Sequence, residues 1–149
     1  MFAEILIILA LSVSAIMDTK AEVKPVDTQI IQEPRYSDYE IGLLERVVMS
    51  EASIESYDCK VAVCETILNR CDIYGQSIEE VVTAPYQYSM ADNGYPNQDV
   101  KDAVTQATRF RTYDKRMIYF RQDYYHGFGE PYQNFGTMYF SLKGDGDTE

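Results

Sequence analysis

Apolar residues recur at intervals of three and four along much of the chain, and this spacing predicts amphipathic helices. The first helix is expected from about Asp38 to Glu51, because Ser37 and Glu40 form a capping box at its start. The apolar stripe of this helix consists of Ile41, Leu44 and Val48. Glu51 is the next member of the stripe, so its carboxyl group is expected at the edge of the core.

Three further helices are predicted. Residues 57–71 are expected to form the most buried one, and a capping box at Ser77 begins a short helix that stops ahead of Pro85. Residues 100–110 carry another apolar stripe, with Asn97 or Asp99 as the cap. Between these two helices, prolines, an Asp-Asn-Gly turn and three tyrosines predict an irregular surface loop, a common place for binding residues.

The hydrophobic period changes near the end of the chain. Residues 117–120 and 137–141 are short runs rich in β-branched and aromatic residues, which predict two strands. We expect them to form a hairpin with a long tyrosine-rich loop between them. The predicted fold class is therefore α+β, mainly helical, with a small C-terminal β-hairpin.

The N-terminal segment predicts export. Its apolar run ends at Met17, which is short for a bilayer-spanning helix of about 20 apolar residues. Residues 1–21 are therefore predicted to be a secretory signal, with an uncleaved anchor as the alternative, because Glu4 replaces the usual positive charge. Residues 22–36 are predicted to be a linker and 37–142 the single folded domain. Residues 143–149 are predicted to be a flexible tail.

The charge balance excludes some classes of partner. With 13 basic and 24 acidic residues, the net charge is −11, so a phosphate backbone would be repelled. No run of Lys or Arg exceeds two residues, which argues against a basic lipid-binding patch. We expect no nucleic-acid partner, no lipid-binding surface beyond an N-terminal anchor, and a monomer.

Cys59, Cys64 and Cys71 lie within one predicted helix. Their spacing matches no zinc-ligand pattern, and the single histidine, His126, is distant in sequence. We interpret the three cysteines as small apolar residues of a buried helix, and we expect neither a metal nor a cofactor.

Glu51 is the strongest candidate for chemistry. Burial disfavours the charged form of a carboxyl group and raises its pKa, and such a group can deliver a proton as a general acid. Cleavage of a glycosidic bond requires that proton on the leaving oxygen. In the alternative interpretation, Glu51 extends into water or pairs with Arg46 or Arg70.

Several short motifs occur in order along the chain: LLERVVMSEA at 43–52, VAVCETILNR at 61–70, PYQYS at 85–89, DNG at 92–94 and IYF at 118–120. Together they resemble the spore cortex-lytic enzyme and cell wall hydrolase family, whose pattern reads LLARVVYAEARGE, QVAVAAVILNRV, PxQFS, a DG turn, ALYF and a closing IGNHxFY. The closing motif appears here as FGTMYFS at 135–141. The resemblance covers about residues 40–141 of this chain.

The resemblance implies a lysozyme-like catalytic domain that cleaves the glycan strand of peptidoglycan between N-acetylmuramic acid and N-acetylglucosamine. It implies a secreted or wall-associated enzyme similar to lytic transglycosylases, with Glu51 as acid and then base. Asn69 and Arg70 are interpreted as a helix-end pair that holds the 85–97 loop. Matching positions that could supply a second carboxylate or bind substrate are Glu55, Gln87, Tyr88, Ser89 and Tyr119.

The chain departs from the family pattern at two places. Ser53 and Ile54 replace an Arg-Gly pair, and Met138 replaces a histidine, which leaves any second proton carrier in doubt. A binding-only relative therefore stays open as an alternative.

Two other hypotheses about the enzymatic activity also stay open. One is a two-carboxylate muramidase that uses Glu55, Asp58 or Asp92 beside Glu51. The other is a thiol peptidase that pairs a cysteine with His126.

Overall fold

Four helices precede a three-stranded sheet in the part of the chain described by the computed structural model, residues 34–90 and 94–147. The predicted signal, most of the predicted linker, Asp92 of the DNG motif and the last two residues lie outside it. The elements are α1 (Asp38–Ala52), α2 (Tyr57–Tyr74), α3 (Ile78–Thr83), α4 (Gln98–Arg109), β1 (Met117–Gln122), β2 (Glu130–Phe135) and β3 (Met138–Leu142).

Polar caps set the beginnings of the helices. Ser37 and Ser77 form the two predicted capping boxes, in which each serine side chain accepts from the backbone N–H three residues ahead. Asn97 caps α4 through its side chain, as the sequence predicted. Ser56 caps α2, and α2 ends at Gly75, whose φ of 65° is a left-handed conformation that glycine adopts without strain.

Helix α2 is the centre of the fold. Every residue from Cys59 to Asn69 is buried, and the helix packs against α1, α3, α4 and β1. The buried faces of α1 and α4 complete the core with Leu44, Val48 and Val104, and Phe140 of β3 closes it on the sheet side. The mainly helical α+β class predicted from the sequence is confirmed.

The sheet has one strand more than the predicted hairpin. Its order is β1-β3-β2, with both pairings antiparallel, so the predicted pairing of the 117–120 and 137–141 runs is present. The strand β2, which was predicted as loop, adds to the other edge of β3. The hydrophobic pattern does not predict β2, because this strand has almost no buried side chain and contains Pro131, a residue found in sheets mainly at edge strands.

Residues 143–147, which the sequence assigned to a flexible tail, form a turn against the sheet. The backbone N–H of Gly144 donates to the Asp147 carboxylate at 2.8 Å, and the Lys143 ammonium group donates to the Asp147 carbonyl. Among the described residues, no helix combines the length and apolar character needed to cross a membrane.

Candidate active site

Glu51 lies in the last turn of α1 with its carboxyl group partly buried. The backbone N–H of Ser89 donates to Oε1 of Glu51 at 2.5 Å, across 38 residues of sequence. Burial raises the pKa of the Glu51 carboxyl above its ordinary value, and the hydrogen bond from Ser89 opposes that rise only in part. The carboxyl group is thus biased toward the protonated form that a general acid requires.

The structure shows neither alternative for Glu51, extension into water or an ion pair with Arg46 or Arg70. The side chain is held by Ser89 rather than extended into water, and it forms no ion pair with any described Lys or Arg. Arg70 instead lies 6.0 Å from the ring centroid of Tyr88. Between described residues, the hydrogen bond from Ser89 to Oε1 is the one that this carboxyl group accepts.

The segment 85–89 shapes the surroundings of Glu51. Tyr86 has a left-handed backbone (φ 61°), an uncommon conformation for a non-glycine residue, and its ring is fully exposed. The turn is closed by the Gln87 backbone N–H, which donates to the Ala84 carbonyl at 3.3 Å. Tyr88 then turns inward, with its ring 6.0 Å from that of Phe120. This alternation presents Gln87 to solvent and aims the Ser89 N–H at Glu51.

Glu55, the predicted second acidic residue, contacts the β2-β3 turn. Its Oε1 accepts from the Thr137 hydroxyl at 3.0 Å, and its backbone carbonyl accepts from the ammonium group of Lys60. Asp58, the other described candidate for a second carboxylate, is exposed in the first turn of α2. The Glu55 carboxylate therefore has a structural partner of its own.

A cavity of about 780 Å³ adjoins the 85–89 segment. Its walls are formed by the C-terminal end of α2, residues 84–88, β1, the 126–128 loop and the turn at 146–147. Gln87, Tyr88 and Tyr119, three of the predicted substrate-binding residues, line it. Glu51 does not. The cavity therefore lies beside the candidate acid, and Tyr88 and Ser89 connect the two places.

Aromatic rings form much of this cavity. Tyr119 of β1 meets the ring of Phe128 at 5.0 Å between centroids, edge to face, and His126 stacks on Phe128 at 4.5 Å. Gly129 allows this packing, because a Cβ there would lie 2.7 Å from the Leu142 carbonyl oxygen and 3.1 Å from the Tyr119 ring. Burial raises the pKa of Tyr119 to about 12. Sequence analysis missed Phe128, since isolated aromatics in a glycine-rich loop carry no periodic signal.

A second buried carboxylate, Glu65, was also missed as a separate site. It is completely buried in α2, where its Oε1 accepts from the Thr112 N–H at 2.6 Å and its Oε2 from the Tyr113 N–H at 2.9 Å. Both oxygens are thus occupied by the connection between α4 and β1. Glu65 has a structural role, because no solvent or substrate reaches it.

Asn69 and Arg70 do not act as one pair. The amide nitrogen of Asn69 donates to the Met117 carbonyl at 2.9 Å, and its oxygen accepts from Arg111 at 3.2 Å. Asn69 therefore holds the α4-β1 connection and not the 85–97 loop as predicted. Only Arg70 faces that loop, through Tyr88. Successive helical positions point about 100° apart, which separates the two side chains.

The three cysteines are free thiols, and burial raises the pKa of each, to about 12 for Cys59 and about 11 for Cys71. High pKa values suppress the thiolate that a peptidase would need. His126 is engaged with the Phe120 carbonyl and the Phe128 ring. No cluster of His, Cys, Asp or Glu suited to a metal ion occurs within the described residues.

Met138, which replaces the family histidine, is buried in β3. A thioether there packs in the core and can neither donate nor accept a proton in catalysis. The chain thus has an apolar side chain where the family pattern that it resembles has a histidine.

The mainly helical fold with its small sheet places a half-buried glutamate, Glu51, at the end of a helix. A model of the cell wall hydrolase family matches residues 54–140, which are 87 of the 149 residues. The chain belongs to this family and is an enzyme that acts on the cell wall. The match begins three residues after Glu51, so it covers the neighbours of the candidate acid but not the acid itself.

Two solved structures are similar to this chain. One is the catalytic domain of SleB from Bacillus cereus, with 25% identity, a TM-score of 0.61, and coverage of 71% of this chain and 91% of that one. The other is the SleB catalytic domain from Bacillus anthracis, described as a germination-specific lytic transglycosylase. It is 23% identical, with a TM-score of 0.62 and coverage of 74% and 99%. Curated protein sequences gave no significant match.

Proposed function

We propose that this enzyme cleaves the glycan strand of peptidoglycan between N-acetylmuramic acid and N-acetylglucosamine, as a lytic transglycosylase with Glu51 as its catalytic acid. The observation that carries the proposal is the state of the Glu51 carboxyl group. It is partly buried, its pKa is raised, and one oxygen is fixed by the Ser89 N–H while the other has no described donor.

The proposed reaction uses this carboxyl group twice. First, the protonated Glu51 gives its proton to the oxygen between the two sugars as the glycosidic bond breaks. The resulting carboxylate then takes the proton of the muramyl 6-hydroxyl, whose oxygen bonds to the anomeric carbon C1 of the same sugar and closes a 1,6-anhydro ring. Because Ser89 occupies Oε1, Oε2 is the oxygen that carries the transferred proton.

The contacts of Glu55 support a mechanism with one carboxylate. A two-carboxylate muramidase needs its second group to act as nucleophile or to activate a water. The Glu55 carboxylate accepts from Thr137, and Asp58 is exposed in the first turn of α2. We assign Glu55 to holding the β2-β3 turn, and Gln87, Tyr88 and Tyr119 to contacts with the sugars.

The place of action is also a proposal. Peptidoglycan lies outside the cytoplasmic membrane, and the N-terminal apolar run is typical of a secretory signal. We propose a secreted or wall-associated enzyme. Sequencing the N-terminus of the protein recovered from the culture medium tests whether residues 1–21 are removed.

Mass spectrometry of the products tests the reaction. Purified wall digested by the enzyme should release muropeptides with 1,6-anhydro ends. Each is lighter by one water than the reducing-end product of a muramidase, so the two mechanisms are distinguished in one spectrum. Binding to the wall without either product would contradict the proposal and would favour a binding-only relative.

A further inference from the structure

Arg70 is a cation without a carboxylate partner in the described part of this acidic protein. Its Nε–H is buried, and no described group accepts a hydrogen bond from it. No described Asp or Glu forms an ion pair with the Arg70 guanidinium group. Arg111 provides the contrast. Its guanidinium group donates to the Ala107 carbonyl at 2.6 Å, to Asn69 at 3.2 Å and to Asp72 at 3.3 Å. Of these two arginines, only Arg70 has no carboxylate partner among the described residues, and its side-chain hydrogen bond is to the Tyr88 phenol.

The surroundings of Arg70 suit a ligand. It lines the 780 Å³ cavity with its guanidinium carbon 5.9 Å from the Tyr74 ring centroid and 6.0 Å from that of Tyr88. Both distances are near the outer limit of about 6 Å for cation–π contacts. Among the described residues that line the cavity, the one carboxylate belongs to Asp147, and it accepts from the Gly144 N–H.

We propose that the Arg70 cavity binds a carboxylate carried by the glycan strand. This rests on the proposed function, in which Glu51 acts on the same strand. Two sources of the carboxylate exist in peptidoglycan: the lactyl group of muramic acid where no peptide is attached, and the stem peptide where one is. A planar guanidinium group can bind either one through two parallel hydrogen bonds.

The cavity adjoins the segment that holds the candidate acid. Tyr88 lines the cavity beside Arg70, and the next residue, Ser89, supplies the N–H that holds Glu51. A strand anchored at Arg70 would then run past the segment that holds the Glu51 carboxyl group. The net charge of −11 would by itself repel an acidic strand, so a preference for one requires a local cation.

Binding measurements with the Glu51→Gln protein test this, because that variant should bind without cutting. Three ligands are compared: strands with stem peptides, strands stripped by an amidase so that only lactyl carboxylates remain, and stripped strands whose carboxylates have been converted to methylamides. Glu51→Gln should bind a carboxylate-bearing strand about 10- to 100-fold more tightly than the methylamide strand. Adding Arg70→Gln should abolish that difference, and adding Arg70→Lys should restore part of it.

The ligand series identifies the source of the carboxylate. A loss of affinity on stripping indicates the stem peptide, and a loss only on amidation indicates the lactyl group. Equal binding of all three ligands by Glu51→Gln overturns the proposal, and this comparison needs no Arg70 variant to fold. The proposal is also overturned if Arg70→Gln weakens the binding of all three ligands equally, since Arg70 would then only support Tyr88. Failure of the proposed reaction is seen separately, as the absence of cleavage products from the wild type.

Discussion

Glu51 and Glu65 lie on neighbouring helices, and each accepts backbone N–H groups from a segment distant in sequence. In the middle of α2, both oxygens of Glu65 are bound and the side chain has no exposed surface. At the end of α1, Glu51 has one oxygen bound and remains partly exposed. The difference shows that burial alone does not mark a catalytic acid. What matters is burial sufficient to raise the pKa together with an oxygen left free for a substrate.

The largest expected effect comes from Glu51→Gln. Glutamine keeps the shape of the side chain but cannot deliver a proton, so turnover of purified wall should fall by about 10² to 10⁴ or more. The fold should survive with an unchanged circular dichroism spectrum. Near-normal turnover by this variant would move the acid elsewhere and remove the contrast with Glu65.

Glu65→Ala should act on stability instead. It leaves the N–H groups of Thr112 and Tyr113 without partners, at a cost of about 1–3 kcal/mol each when such groups are buried. Since both are partly exposed, we expect a loss of about 2–4 kcal/mol in urea unfolding. Glu65→Gln, which keeps one acceptor, should lose less. Activity per folded molecule should stay near that of the wild type, whereas a loss like that of Glu51→Gln would give Glu65 a part in catalysis.

The dependence on pH provides a further test of Glu51. The folded-state pKa of Glu51 is raised from an ordinary value of about 4.5. Its contribution to the unfolding free energy is therefore fully present below the unfolded pKa and is lost as pH rises through the folded one. The rate of cleavage should fall over that same upper range, because the proton is no longer available. The unfolding free energies of the wild type and Glu51→Gln should converge at pH values below the unfolded-state pKa. At pH values above the folded-state pKa, the variant should be the more stable of the two.

Glu55→Gln should have a small effect. The Thr137 hydroxyl can still donate to the amide oxygen, so turnover should remain within about threefold and stability within about 1 kcal/mol of the wild type. Thr137→Val provides the matched control from the other side of the contact. A loss of about 10³ with Glu55→Gln but not with Thr137→Val would support the two-carboxylate mechanism.

The smallest effect is expected at the thiols. Cys59 and Cys64 are fully buried and the pKa of each thiol is raised, so the native protein should react slowly with iodoacetamide and keep its activity. Thiol titration after unfolding without reductant should count three. A count of one would reveal a disulfide and a different α2.

Much of the helical half could be predicted because its signals are local. The capping boxes at Ser37 and Ser77 and the apolar spacing of α1 determine those helices without help from the rest of the chain. Strand β2 could not be predicted in this way, because it is stabilised by pairing with β3 and buries almost nothing itself.

In the candidate site too, the features with a local sequence signal could be predicted and those formed by distant segments could not. Glu51 could be predicted from its place in the stripe of α1, but its partner could not, because the Ser89 N–H is a backbone group that no side-chain pattern reveals. The Arg70 cavity was missed for a related reason, since its walls come from five separate segments of the chain.

The hydrogen bonds of Glu65 and Asn69 to the α4-β1 connection should also make this connection resistant to proteolysis. This connection contains Arg111, Lys115 and Arg116, three sites at which a trypsin-like enzyme could cut. To enter such an active site, it would have to extend, which would break its bonds to both side chains of α2. A surface segment without regular secondary structure is thereby kept in a shape that proteases cannot readily use.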